Sequence, residues 1–441
     1  MTVARGNQVF VGYAQNGILG VHRDPTHYIA AESVTFEPSI DEIARELLVP
    51  GQYHESIELL KAQYNCSGAI VFDSHAQEGI HLLKGVLPTI ASTQYSGTSV
   101  YDHKFLGSDA VPMENGFSLL IEQDLKVYYI SGVIVTSIEE TSEVGAASKI
   151  TVNWIGKKWE ASDGTSGIST GESAVSYTVT LVADTSDQIK LAIDGGGAVE
   201  VTIAAGAYAT AATLAAAINT AIEGTDGLLD ADGVPEVAAY VDSNDKVNFH
   251  TADKGTGASV AWTAGTNDAG TLLGRGTPVE SAGSASIASP NFSAVQPFIG
   301  HQIIVKQGGS EIYVDKITVT IDAGIMAKHY LGHKFFRRPL LEKKRLVNVT
   351  WEKDYEDEAS VDAWEGNSNV EIEIDARSGA TAGGAYDYDK TTYLKRCRIL
   401  NTPVPVPSLG VIKQTVTAQA YKKDADYLDI RENVNNLLTE I

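Results

Sequence analysis

The chain returns again and again to short runs rich in Val, Ile, Thr and Tyr, and β-branched and aromatic residues suit a pleated, half-buried surface better than a helix. Such runs predict strands over Gln8–Tyr13, Ser33–Glu37, Tyr64–Asp73, Phe117–Gln123, Val127–Glu139 and Lys149–Lys158. Helical periodicity is scarce. One candidate helix opens with Ser39 and Glu42 in capping-box spacing, places Ile40, Ile43, Leu47 and Leu48 on one face, and stops at Pro50-Gly51. A second covers Ala76–Leu83 and ends near Gly85. The expectation for residues 1–165 is therefore one mainly β domain with one or two short helices packed on it.

At 441 residues the chain has room for about three domains. Its 43% apolar and 20% charged residues are a globular mixture. No apolar run approaches the roughly 18 residues that cross a bilayer, so no membrane segment is expected. The opening MTVARGNQVFVGYAQ lacks a long apolar stretch, which predicts synthesis and assembly in a cytoplasm. Acidic residues outnumber basic ones 56 to 33, giving a net charge of −23. That balance disfavours general affinity for nucleic acid or an anionic membrane and suits a surface that repels polyanions. Cys66 and Cys397 are too few for a disulfide framework and read as small buried hydrophobes.

Composition shifts between Glu172 and Pro290. This stretch is rich in Ala, Gly and Thr and carries 15 acidic residues against Lys190, Lys246, Lys254 and Arg275. It reads as a separate module, 172–290: a strand at Ser176–Val182, a hairpin of Ile189–Ile193 with Val199–Ile203, a helix, and strands Ala238–Val241 and Lys246–His250. In the helix Leu214, Ala217, Ile218 and Ala221 share one face and Gly224 supplies the stop. The Gly/Ser/Ala stretch Ser281–Ser289 reads as a linker back.

Residues 291–441 return to β texture and repeat the first segment in outline. YISGVIV at 129–135 lies over YLKRCRI at 393–399, and ITVNWIGKK ending at Lys158 lies over TVTAQAYKK ending at Lys423. VTFEP at 34–38 resembles ITVTID at 317–322, and YNCSGAIVFD before a short helix resembles RLVNVTWEKD before EASVDAWEG. Offsets near 264 and 265 predict a duplicated β domain with the acidic module inserted between the copies. Only Tyr427–Leu438 reads as a terminal helix.

ESVTFEP, QYNCSGAIVFD leading into EGIHLLKG, FSLLIEQ, KVYYISGVIVTSIEE and KITVNWIGKKW together resemble the tail tube proteins of long-tailed bacteriophages. In that family the strand before the last reads aromatic-x-x-Gly-Cys-x-Val; Gly132 stands at the glycine, Val133 replaces the cysteine, and the resemblance places Cys397 there in the second copy. It covers about 1–160 and 291–441. The module 172–290 is similar to the flagellin hook IN motif, at VEVTIAAGAYATAATLAAAINTAI and again from VNFHTADKGTGASVAW to Leu272-Leu273-Gly274. The resemblance implies a duplicated tube-type β-sandwich or barrel with a small α+β or β-rich decoration. It implies a structural virion protein whose rings of six domains stack into a tail tube; with two copies per chain the expectation is a homotrimeric, pseudo-hexameric ring, and an outward module on every chain, which would clash with a contractile sheath, leads to the expectation of a non-contractile tail. Tape measure, terminator and distal tail proteins would be its partners, and DNA would pass through the lumen without specific binding.

Nothing in the sequence assembles a catalytic or cofactor site. His329 and His333 have the spacing of a helical metal pair, but no glutamate follows the first, and they read as loop histidines. Gly195–Gly197 and Gly255–Gly257 follow no phosphate-loop spacing. The cluster Lys334, Arg337, Arg338, Lys343, Lys344 and Arg345 is the densest cationic stretch; a solvated face or a contact between subunits of an acidic protein both fit it. A non-enzyme is expected, and no cofactor or metal. A bacterial extracellular filament or hook-associated protein is the alternative, suggested by the hook-like motif.

Overall fold

The computed structural model describes residues 9–47, 56–107, 116–123, 126–162, 165–230, 233–242, 244–284, 290, 292–331, 334–355, 358–383, 386–404, 411–421, 430–436 and 438. The molecule is mainly β, with short helices. In the first segment the strands are β1 (Val9–Gln15), β2 (His27–Ile29), β3 (Ala31–Leu47), β4 (Ser56–Asp73), β5 (Thr89–Gln94), β6 (Tyr101–Leu106), β7 (Phe117–Gln123), β8 (Lys126–Glu143), β9 (Lys149–Gly156) and β10 (Lys158–Ala161). The middle contributes β11 (Ser166–Thr170), β12 (Val179–Leu181), β13 (Gln188–Ile193), β14 (Val199–Thr202), β15 (Gly206–Tyr208), α1 (Ala211–Glu223), β16 (Val237–Val241), β17 (Val247–Lys254), β18 (Val260–Ala264) and β19 (Val279–Ser281). The last segment holds β20 (Ile303–Gln307), β21 (Ser310–Ile312), β22 (Lys316–Asp322), β23 (Ile325–Lys328), β24 (Arg338–Leu341), β25 (Leu346–Asp354), α2 (Ala359–Glu365), β26 (Asn369–Gly383), β27 (Tyr386–Asn401), β28 (Lys413–Ala420) and β29 (Arg431–Asn436).

Two helices expected from sequence are strands. Residues 39–47 belong to β3, which pairs antiparallel with β4 from Ala31↔Phe72 to Leu47↔Ser56. A partner offering ladder hydrogen bonds along its whole length overrides a capping-box signal, because local propensity is a weak prior. Pro50-Gly51 lies outside the described residues. In the same way residues 431–436 form β29, held between β6 and β27, where Tyr427–Leu438 reads as helical. The helix expected at Ala76–Leu83 is a 3₁₀ turn at Ile80–Gly85. By contrast, α1 stops at Gly224 as its apolar spacing predicts, and its start is capped by Thr210.

The first and last segments merge into one sheet of eighteen strands. Within it, β3–β4–β9–β8 run antiparallel in that order, and β22–β25–β28–β27 run antiparallel in the matching order. The correspondence extends to defects. The register shifts between Val135 and Ser137 in β8 and between Ile399 and Asn401 in β27, 264 positions on. Such bulges are placed features of a strand, so their coincidence is specific. Inward residues agree as well: Ile150, Val152 and Trp154 of β9 match Gln414, Val416 and Ala418 of β28. The structural offset is thus 264 for this strand too, one less than the sequence overlay.

A direct junction joins the two runs, since the far edge of β8, Ser137–Glu143, pairs with β22 along its whole length. Where the runs meet, Lys390 on β27 is buried with Nζ 2.6 Å from Glu140 Oε2 on β8 and 3.5 Å from Glu432 Oε2 on β29. Ser74 Oγ donates to the other Glu140 oxygen at 2.7 Å. Burial alone would lower the Lys390 ammonium, but the two carboxylates outweigh it and hold it above the ordinary lysine range; burial pushes Glu432 up.

A second hydrophobic core gathers Leu181, Ile189, Leu191, Leu214, Ile218, Phe249 and Trp262 from the middle segment, together with Ile18 and Val21 from the loop after β1. Asn219 of α1 fixes that loop: its Nδ2 donates to Gly17 O at 3.0 Å and to Ala239 O at 2.9 Å.

Candidate functional site

Directly opposed residues in neighbouring strands share a face, so the register of the eight strands β3–β4–β9–β8–β22–β25–β28–β27 defines cross-strand rows. One row reads Asp73, Lys149, Thr141, Thr318, Thr350, Thr417, Asn401. The next reads Ser33, Val71, Thr151, Glu139, Thr320, Asn348, Gln419, Arg398. The threonines bond to one another across strands, Thr141 to Thr318 at 3.1 Å and Thr350 to Thr417 at 3.4 Å. On the opposite face Ile70, Phe72, Val152, Trp154, Ile317, Val349 and Trp351 are buried. The result is a broad polar face with threonines at its centre. Two of its lysine-bearing strands are neutralised locally: Lys149 pairs with Glu32 at 2.6 Å, and Lys413 with Asp315 at 2.7 Å.

The basic cluster lies at the end of this sheet, beyond the last β4–β9 pair, Cys66↔Gly156. Lys334, Arg337 and Arg338 belong to the β23–β24 hairpin, and Lys343, Lys344 and Arg345 to the return into β25. The hairpin meets β4 through a backbone bond from Tyr64 N to Lys334 O at 2.9 Å and through the Tyr64 and Phe335 rings, 5.6 Å apart. Arg338 Nε donates to Tyr330 Oη at 3.2 Å. Tyr330, Leu331, Arg337 and Arg338 line an open cleft of about 340 Å³, and Leu331 is fully exposed. The six cations are therefore split between a hairpin and a strand entry, outside the threonine rows.

A family model described as phage tail tube protein matches residues 169–420. The chain belongs to the phage tail tube protein family. That family is structural and not one of enzymes, so the virion tail is where a tail tube protein works. The matched range begins after the first segment, includes 172–290, which the sequence overlay left outside the tube fold, and ends with β28. No curated protein matches the chain.

Other residues singled out from sequence have local roles. Cys66 and Cys397 are buried free thiols, pushed up to about 12 by burial, which makes them inert packing groups. Cys397 occupies in β27 the place that Val133 occupies in β8. His329 Nε2 donates to Asn65 Oδ1 at 2.8 Å; His333 lies outside the described residues. Among the described residues no group of three or more His, Cys, Asp or Glu could hold a metal ion, and no helix is long and apolar enough to cross a membrane.

Sequence reasoning did not find the Lys390–Glu140–Glu432 network or a second cluster where the middle segment docks. There His22 and His250 are buried, Lys254 lies 4.6 Å over the Tyr129 ring and 3.5 Å from Glu160, Asp24 accepts from Ser166 N at 2.9 Å, and Arg23 sits 3.7 Å over the Tyr240 ring. Desolvation lowers both imidazoles, His250 to about 3. These partners are remote in sequence, and only the hydrophobic alternation that places their strands could have hinted at them.

Proposed function

We propose that this chain polymerises into the hollow tail tube through which phage DNA passes, that 1–165 and 291–441 are two equivalent tube domains, and that three chains close one pseudo-hexameric ring. The observation carrying this reading is the repetition of one four-strand order, with its bulge, 264 residues apart in a single sheet. Two such units per chain supply six to a ring from three chains. The threonine rows suit a lumen wall. The threonines and asparagines in these rows offer DNA no cation, Lys149 is paired with Glu32, and each further Lys or Arg that neutralised a phosphate would add salt-dependent affinity and slow transit.

In this reading 172–290 is a decoration on the outside of the tube. Its docking residues Gly17, Asp24, Tyr129 and Glu160 all lie off the threonine rows. A projecting module on every chain leaves no room for a contractile sheath, so the tail is non-contractile. Tape measure, terminator and distal tail proteins meet the ends of the tube, and assembly takes place in the host cytoplasm. The cluster Lys334, Arg337, Arg338, Lys343, Lys344 and Arg345 joins subunits.

Native mass measurement of isolated rings tests the stoichiometry. Three chains per ring, with electron microscopy showing stacked rings and a central bore, are expected. Six chains per ring, or solid filaments, overturn the reading.

A further inference from the structure

The junction inside the chain specifies the junction between chains. On one side of β8 the partners are β7 and then β22; on the other they are β10 and then β9. On one side of β27 lies β26, and on the other β29 and then β28. β26, β29 and β28 thus take the places of β7, β10 and β9. The place of β22 is vacant: among the described residues no strand pairs with that side of β27 after Arg398. At the other end of the eight-strand run, β3 is the counterpart of β22, and among the described residues it pairs only with β4. Ile317, Val319 and Ile321 of β22 are buried, whereas Val34 and Phe36 of β3 are half-exposed. Burial also repeats along the vacant edge: Ile138 is buried and Glu139 exposed in β8, as Thr402 is buried and Pro403 exposed after β27.

We infer that β3 of one chain pairs antiparallel with the strand that continues β27 of a second copy, in the register of β22 on β8. Because Ser137 lies opposite Asp322 and Glu140 opposite Val319, Asn401 falls opposite Ser39 of the neighbour, Thr402 opposite Pro38, Pro403 opposite Glu37 and Val404 opposite Phe36. This contact is heterologous, one edge meeting a different edge, and so generates a closed ring when the rotation permits. It rests on the ring reading above and adds to it which edges meet and in what register. Pro38 and Pro403 have no N–H to give, so the ladder between chains is sparser than β22–β8 inside the chain. Prolines on an open edge also discourage unplanned strand addition before a ring forms.

Charge supports the same partner. In sequence, the far ends of β3 and β4 and the residues that join them carry Asp41, Glu42, Glu46, Glu55 and Glu58 against Arg45 and Lys61, while the corresponding stretch between β22 and β25 carries the basic cluster. Inside the chain that second stretch reaches back to Tyr64 and Asn65. The matching positions in the last segment are Arg345 and Leu346, beside the exposed Lys343 and Lys344, so the acidic stretch of the neighbour reaches a basic receiving surface.

Cysteine pairing tests the register. Opposed residues in an antiparallel ladder have Cα atoms about 4.5–5.5 Å apart, within disulfide reach. Oxidised rings of Ser39→Cys/Asn401→Cys should run as a covalent trimer on a non-reducing gel. Ser39→Cys/Pro403→Cys, displaced by two residues, should cross-link several-fold less. Rings that cross-link in the displaced pair, or in neither, overturn this junction and leave the ring reading standing; an unaltered chain that never forms rings overturns both. Hydrogen exchange on the unaltered protein gives an independent readout: amides within Phe36–Ser39 should become protected on ring assembly, and unchanged exchange there overturns the proposal even if the cysteine variants fail to fold.

Discussion

The four-strand runs β3–β4–β9–β8 and β22–β25–β28–β27 share order, bulge and inward alternation, yet they differ at the edges. In the first run the far edge of β8 is occupied by β22 and sealed beneath by Glu140 and Lys390; in the second, Val404 stands at the position of Glu140. One edge is thus fixed by a buried ion network within the chain, while among the described residues no strand pairs with its counterpart. The strand pattern sets the architecture, and a few side chains decide whether an edge is closed permanently or left for a partner.

Removing the network should have the largest effect. Lys390→Met leaves Glu140 and Glu432 facing each other without a cation, and breaking a buried ion pair from one side costs about 3–5 kcal/mol. Chemical denaturation should show that loss, and the triple variant Lys390→Met/Glu140→Leu/Glu432→Leu should recover most of it. A Lys390→Met protein as stable as the parent would mean that the edge of β8 is held by its ladder alone.

The next test exchanges packing between the runs. Gly68 lies opposite Trp154 in the first, and their counterparts in the second are Val349 opposite Ala418. A Cβ on Gly68 would fall 2.0 Å from Thr35 O and 2.6 Å from the Trp154 ring. Gly68→Val should therefore cost at least about 1–3 kcal/mol through overpacking, and Trp154→Ala about 3–5 through a cavity. Combined, they recreate the second run's pair, so the double variant should lose less than the two single losses added together. Strict additivity in a double-mutant cycle would show that the pairs are not interchangeable.

Much of this was legible in the sequence because it is periodic. The runs around Val71, Val152, Val319 and Val349 alternate inward and outward, and the helical spacing of Leu214, Ala217, Ile218 and Ala221 with Gly224 as the stop marks α1. What escaped depends on distant partners. Residues 39–47 read as a helix until β4 is known to run beside them, and 431–436 until β6 and β27 enclose them. Lys390 and Glu140 are 250 positions apart, a separation at which one sequence carries no pairing signal. The basic cluster was visible as charge, but its division between a hairpin and the entry to β25 was not.

Acid should distinguish the second core from the large sheet. His22 and His250 are buried and neutral, with folded pKa values depressed below the ordinary 6.5, His250 to about 3, mainly by desolvation with Lys254 and Arg23 nearby. Such groups leave stability intact above about pH 6.5 and withdraw it as pH falls toward 3, because the unfolded chain binds the protons the folded one refuses. Asp24, Glu160, Tyr129 and Tyr240 share this contact; burial raises Asp24, so the fold takes up its proton before the unfolded chain does, and Asp24 offsets part of the histidine loss. Hydrogen exchange between pH 7 and 4 should open 172–290 before the β22–β25 ladder. His22→Phe/His250→Phe should flatten that dependence, and simultaneous opening of both regions would show that these histidines do not separate them.

The smallest effect per residue is expected at the basic cluster, where each exposed ion pair is worth at most about 1 kcal/mol. Its influence comes from number and from placement on a protein of net charge −23. Like-charged copies repel as they approach, and Lys343 and Lys344 lie exposed at the entry to β25 while Arg338 is carried on the neighbouring hairpin. Replacing Arg338, Lys343 and Lys344 with Glu converts attraction for an acidic neighbour into repulsion. Isolated chains should keep their stability, whereas ring formation should slow and weaken. Added salt should partly restore it, since screening sets in over roughly 8–10 Å at 0.1–0.15 M. Light scattering of assembly across a salt series separates the possibilities. A defect that salt relieves marks charge steering between chains, and one that salt leaves unchanged marks lost packing around the hairpin. Normal assembly with slowed DNA release from the particle would instead place these cations against the DNA path, contrary to their position outside the threonine rows.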